Sequence, residues 1–164
     1  MSVQPIVEVL EKLSKLHESL LTISEQKTEV LKNGDMEQLQ KTLIQERKHV
    51  QAITQMETKR QALVETWAKE HGWNPDETTV SRMIEKLEDQ QESGLLEQAT
   101  AQLVEMIVKL KQQEQLNQQL LQQSLEFIDL SLNLLSPSIK NLNYGKTANN
   151  QTQQSSRSVF DSKA

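Results

Sequence analysis

The 164-residue chain has no cysteine, so neither disulfides nor thiolate metal sites can hold it together. Four glycines and three prolines leave few places where the backbone can turn tightly. Aromatic residues are 3% of the chain and hydrophobic residues 35%, too few for a large round core or a sheet sandwich. The net charge of -5 argues against phosphate backbones and acidic membranes, which call for a basic surface. There is no run of about 20 apolar residues, and MSVQPIVEVLEKL lacks the basic and continuous apolar regions of a signal peptide. The expectation is a cytoplasmic protein with no nucleic-acid partner and no membrane insertion.

What is present is charge (25% of residues), with much Gln, Ser, Thr and Asn, arranged on helical periods. Ile6, Val9, Leu10, Leu13, Leu16, Leu20, Ile23, Val30 and Leu31 recur at steps of three and four, the spacing of a packed helix stripe. Asn33-Gly34-Asp35 interrupts the pattern: Gly suits a left-handed C-terminus, and Asp35 with Gln38 can cap a second helix. A second stripe, Met36, Leu39, Leu43, Val50, Ile53, Met56, Leu63, Val64 and Trp67, runs to His71-Gly72. So short a link predicts an antiparallel hairpin with Leu43 and Ile53 in its seam. Asn74-Pro75-Asp76-Glu77 reads as the start of a short third helix, ending between Gln91 and Gly94. A fourth comes after it, with Leu96, Ala99, Leu103, Met106, Ile107 and Leu110 on a narrow stripe that Gln112–Gln115 thins out. Ser136-Pro137 should break it.

The fold class expected is all-α: a long antiparallel hairpin, a short linking helix and a long C-terminal helix in an elongated coiled-coil-like bundle. The helices fall at about 4–32, 36–71, 76–90 and 95–135 by periodicity, in one domain over 1–142. Residues 143–164, rich in Asn, Gln and Ser, form a flexible tail.

Within the fourth helix, SLEFIDLSLNLL stands apart. On a wheel of 100° per residue, Leu120, Leu121, Leu125, Phe127, Ile128, Leu130, Leu132, Leu134 and Leu135 fill an arc of about 220°. One neighbouring helix covers a stripe of about 100° or somewhat more. Either other helices or a second copy wrap this stretch as core, or it is a partner-binding surface. The other helices have little spare apolar surface to wrap it with, which favours the partner surface.

Chemistry is scarce. Glu46-x-x-His49 puts a carboxylate and an imidazole on one helix face, but a di-metal bundle needs two such pairs and two further glutamates, and the pattern occurs once. No nucleophile with a base and no phosphate loop accompanies it, so catalytic residues, metal and cofactors are all expected to be none. Glu46, Glu57 and Arg60 lie near the hairpin seam, where pairing across it could set register.

The chain as a whole resembles the FlgN family of bacterial flagellar export chaperones. The resemblance rests on Asn33-Gly34-Asp35 at the hairpin turn, Glu46-Arg47-Lys48 followed by Arg60, and His71-Gly72-Trp73 closing the second arm. The short linking helix, Asn117 in a Leu-rich fourth helix, Tyr144-Gly145 and the closing VFDSKA complete it. It implies a non-enzymatic cytoplasmic chaperone for the C-terminal segments of hook-filament junction proteins. Such a chaperone prevents premature assembly and delivers its cargo to the cytoplasmic part of the export gate. The leucine arc would then be the cargo site, Tyr144 the gate contact, and a tail carrying Val159 and Phe160 a cover for bound cargo. The alternative is a homodimeric coiled-coil adaptor with no chaperone role.

Overall fold

A computed structural model describes residues 1–135 of the chain. Among them the secondary structure is entirely helical: α1 (Gln4–Asn33), α2 (Met36–Glu70), a single 3-10 turn (Pro75–Glu77), α3 (Val80–Lys86) and α4 (Gln90–Leu135). They belong to two compact units, Met1–Leu120 and the segment from Leu121 onward.

In the first unit α1 and α2 form the hairpin. Its turn is local chemistry: Gly34 takes φ 68°, and the Asp35 carboxylate accepts the Gln38 amide at 3.0 Å. Nothing lies within 4 Å of a Cβ built on Gly34, so Gly34→Ala meets only the backbone penalty. That change is expected to lower stability by about 1 kcal/mol, and Gly34→Asn by less, in paired thermal melts. At the far end α2 closes on Gly72 at φ 71°. The Trp73 amide donates to Ala68 O at 2.8 Å and the Gly72 amide to Lys69 O at 3.4 Å. Trp73 then sets its edge against Trp67, with ring centroids 5.1 Å apart, which supplies the apolar contact that this type of helix end favours.

The third helix differs from expectation. Asn74 does cap, its Oδ1 accepting from the Asp76 amide at 3.2 Å, but the result is one 3-10 turn. The extended Thr78-Thr79 comes next, and Thr79 caps α3, which ends at Lys86. β-Branched residues favour extended backbone and break what would otherwise be one helix. Gly94 terminates nothing. Asp89 caps α4, accepting the Gln91 and Glu92 amides at 2.8 and 3.2 Å, so the helix begins at Gln90 and Gly94 lies inside it. Ser93 Oγ donates to Ile84 O at 2.8 Å, tying that first turn to α3.

The core sits at the end remote from the hairpin turn. Val3, Ile6, Val7 and Leu10 of α1 and its lead-in meet Val64 and Trp67 of α2, Val80 and Met83 of α3, and Leu96 and Ala99 of α4. Pairings of Val3 with Glu92, Ser24 with Glu114 and Thr28 with Asn117 show that α4 runs parallel to α1. With α2 packed on it as well, α1 buries the widest face of any helix in the unit, including Val9, Leu13, Leu20 and Ile23.

The hairpin seam is not the one the apolar stripe suggests. Leu43 is 48% exposed, and Met36 and Val50 are more exposed still. The residues of α2 turned inward are Thr42, Glu46, His49, Ile53, Met56, Arg60, Leu63 and Trp67, alternating four and three along the helix. Ile53 is therefore in the seam and Leu43 beside it. Near the turn, polar residues occupy the inward positions, and their reason lies in α4, which packs there as well.

Candidate partner-binding site

Two features stand out, each within its own unit: a polar junction in the first, and the apolar arc in the second. The junction joins three helices. Lys27 of α1 places Nζ 2.7 Å from Glu46 of α2 and 3.0 Å from Glu114 of α4. Ser24 Oγ donates to Glu114 at 2.5 Å, and Thr28 Oγ1 donates to Asn117 Oδ1. Asn117, 2% exposed, returns its amide to Ser24 O at 2.8 Å and to Ser24 Oγ at 3.0 Å. A buried amide that satisfies both its donor and its acceptor on one neighbour fixes register, since a one-turn slip leaves it unpaired.

Glu46 thus pairs across the hairpin, as expected. Glu57 and Arg60 instead pair with each other along α2, Arg60 Nε lying 3.0 and 2.9 Å from the two carboxylate oxygens. The Arg60 hydrogen bonds outweigh burial and hold the Glu57 carboxyl below its ordinary value. Glu46 and His49 do not converge. His49 spends Nε2 on Ser19 Oγ at 2.8 Å and Nδ1 on Gln45 O at 3.0 Å, while Glu46 faces Lys27. Among the described residues no group of three or more His, Asp or Glu could hold a metal ion.

Burial alone would lower the Lys27 ammonium pKa, but the hydrogen bonds and charges of Glu46 and Glu114 outweigh it and raise it above 10.5. Burial would raise Glu114, but hydrogen bonds from Ser24 and Lys27 and the Lys27 charge carry it below 4.5. A lowered carboxyl stabilises the fold above its unfolded value and loses that effect as pH falls through the folded value; a raised amine does so below its unfolded value. The junction should therefore contribute fully between about pH 4.5 and pH 10.5. Glu114→Gln is expected to remove its share of the acid limb in melts run from pH 7 to 3. That share is about 1 kcal/mol or less, because the carboxylate is 42% exposed. Lys27→Ala leaves Glu46 and Glu114 facing each other without a cation, and is expected to cost about 2–3 kcal/mol.

The α4 half of this junction escaped the sequence reading, though a signal existed. The inward positions of α4 run Leu96, Ala99, Leu103, Met106, Leu110, Gln113, Asn117 and Leu120 at unbroken steps of three and four. The stripe continues in polar residues; Gln112–Gln115 does not thin it out. Ile107 falls outside it and is 42% exposed. Ser24 and Lys27 extend the α1 stripe in the same way, from Leu20 toward Leu31.

Beyond Leu120, which is partly buried and belongs to the first unit, α4 changes character. Leu121, Leu125, Phe127, Ile128, Leu130, Leu132 and Leu134 are all exposed, from 45% at Leu121 to 73% at Leu134. Both sides of the wheel are bare: Leu121, Leu125, Ile128 and Leu132 on one, Phe127, Leu130 and Leu134 on the other. Gln122, Glu126, Asp129 and Asn133 make the one polar stripe, with Gln122 Nε2 3.4 Å from Glu126 Oε1. Leu135 closes the helix. Tyr144, Val159, Phe160, the break at Pro137 and the tail 143–164 lie outside the described residues.

The profile of the FlgN protein family matches residues 1–152. The chain belongs to the FlgN family. These are flagellar export chaperones, which places the chain in flagellum assembly as a binding protein. A relative, the uncharacterized protein YvyG of Bacillus subtilis (strain 168), is 38% identical over 165 residues, covering 100% of both chains. No solved structure matches the chain. Several residues that carried the FlgN resemblance now have structural work: Gly34 and Gly72 shape the helix ends, and Glu46 and Asn117 hold the junction. No helix among the described residues is long and apolar enough to cross a membrane.

Proposed function

We propose that this FlgN-family chain is a cytoplasmic, non-enzymatic chaperone that binds the C-terminal segments of hook-filament junction proteins through Leu121–Leu135. It keeps them from assembling early and hands them to the cytoplasmic part of the export gate. One observation carries the reading: seven large apolar side chains exposed at 45–73% within fourteen consecutive residues of one helix. Surface of that extent in so short a segment marks an interaction site. A segment that packs its own apolar face into a filament offers the complementary ridge, and helix-in-groove packing covers both. The tail with Val159 and Phe160 would close over the bound segment, at an ordering cost that keeps release possible. Tyr144, within the same tail sequence, would meet the gate.

The test is titration of the purified chain with the hook-filament junction proteins of the same cell, each intact and shortened at its C-terminus. Binding by the intact proteins and its loss on shortening is the expected result; equal binding by both forms refutes the assigned segment. A homodimeric adaptor is the rival reading, and the same exposed apolar arc would then be its dimer interface. Sedimentation of the free chain separates the two, a monomer being expected of the chaperone.

A further inference from the structure

The arc is as distinctive in charge as in apolarity. From Gln112 to Ile139 the chain carries Glu114, Glu126 and Asp129 and neither Lys nor Arg. Elsewhere the helices intersperse the signs, as in Glu37–Lys41, Glu65–Lys69 and Glu105–Lys109, each an ion pair one turn apart. Glu126 and Asp129 are exposed and have no cation within ion-pair reach among the described residues. At 100° per residue, Gln122, Glu126, Asp129 and Asn133 fall within about 60° of one another. The apolar arc takes up most of the remaining turn, so one acidic stripe borders it on both sides: Leu130 adjoins it on one edge, Leu125 on the other.

We propose that the partner this arc accepts is an amphipathic segment whose apolar ridge is bordered by Lys or Arg. This rests on the reading of the arc as a binding surface and adds the chemistry by which it selects. A segment laid along either edge brings its flanking side chains over Glu126 and Asp129. Cationic flanks are attracted, and their methylene stems lie over the leucines while their heads reach the carboxylates. Acidic flanks meet like charge with no Lys or Arg between Gln112 and Leu135 to relieve it, so the stripe rejects apolar ridges of the wrong sign. The leucines alone cannot discriminate in this way, because apolar contact is non-directional.

The test uses the full chain and three synthetic peptides with one leucine ridge, flanked by Lys, by Gln or by Glu. The expected order of affinity is Lys, then Gln, then Glu. The Lys peptide should bind about three- to ten-fold tighter than the Gln peptide at low salt, as for two exposed charge pairs. That gap should close as ionic strength rises toward about 1 M, where charges are screened within about 3 Å. In the variant Glu126→Gln with Asp129→Asn the three peptides should bind alike, near the Gln peptide's affinity. Equal binding of all three by the unaltered chain overturns the proposal and leaves the apolar reading standing. So does a Lys preference that survives in the double variant, which would come from the net charge of the whole chain. Failure of every peptide to bind, as when a second copy or the chain's own C-terminal residues already fill the arc, removes the proposal together with the reading beneath it.

Discussion

Replacing Trp67 by Ala is expected to cost the first unit about 3–5 kcal/mol of stability, the range for a large aromatic removed from a core. Trp67 is 1% exposed and stands where four elements meet: it is clustered with Val3, Ile6 and Leu10, with Val80 and Met83, and with Leu96 and Ala99. It also stacks on His71 at 4.0 Å and meets Trp73 edge-on, so its loss loosens the closure of α2 as well as the core. Trp67→Phe separates these contributions. The indole Nε1 is buried with no hydrogen-bond partner among the described residues, a standing cost that Phe removes while keeping most of the ring. Denaturant melts should therefore place Phe far closer to the parent than Ala. If Trp67→Ala melts within about 1 kcal/mol of the parent, the core is not organised around this residue.

The second large effect is on binding, and it should leave the fold alone. Changing Leu125, Ile128 and Leu132 together to Ser removes side chains that are 53–59% exposed, and changing Phe127, Leu130 and Leu134 together removes others at 56–73%. Neither set is core in the free chain, so neither triple variant should shift the main melting transition appreciably. At least one of them should weaken binding of a hook-filament junction segment by several kcal/mol, the scale of a hot-spot cluster. In cells, such a variant would be folded and soluble yet fail to build the junction between hook and filament. Melting lowered equally by both sets, with binding intact, would show that the arc is core. Conversion of a dimer to a monomer by either set would support the homodimeric adaptor.

Much of the fold was legible because its signals are local. The Gly34-Asp35 turn, the Gly72-Trp73 ending and the first two helix ranges come from caps and left-handed glycines acting over four or five residues. Where two local signals competed, the sequence reading erred. Asn74-Pro75 promises a helix, but Thr78-Thr79 limits it to one turn, and Gly94 resembles a terminus although Asp89 upstream already supplies the cap. The leucine arc was visible for a different reason: no single neighbour can cover 220° of helix, whatever the tertiary structure, and that estimate needs only the wheel.

The sequence by itself determined that the chain is helical, that its first two helices fold back on each other, and that the end of α4 carries more apolar surface than one neighbour can cover. These depend on backbone period and residue type alone. Only the tertiary structure decided which positions form the seams. Leu43 looks like a seam residue and Thr42 does not, yet Leu43 is exposed and Thr42 is buried. The physical reason is that polar groups become good seam residues only when partners from other helices satisfy them. Lys27 has Glu46 and Glu114, and Asn117 has Ser24 and Thr28, across separations of 19 to 93 residues that no periodicity encodes.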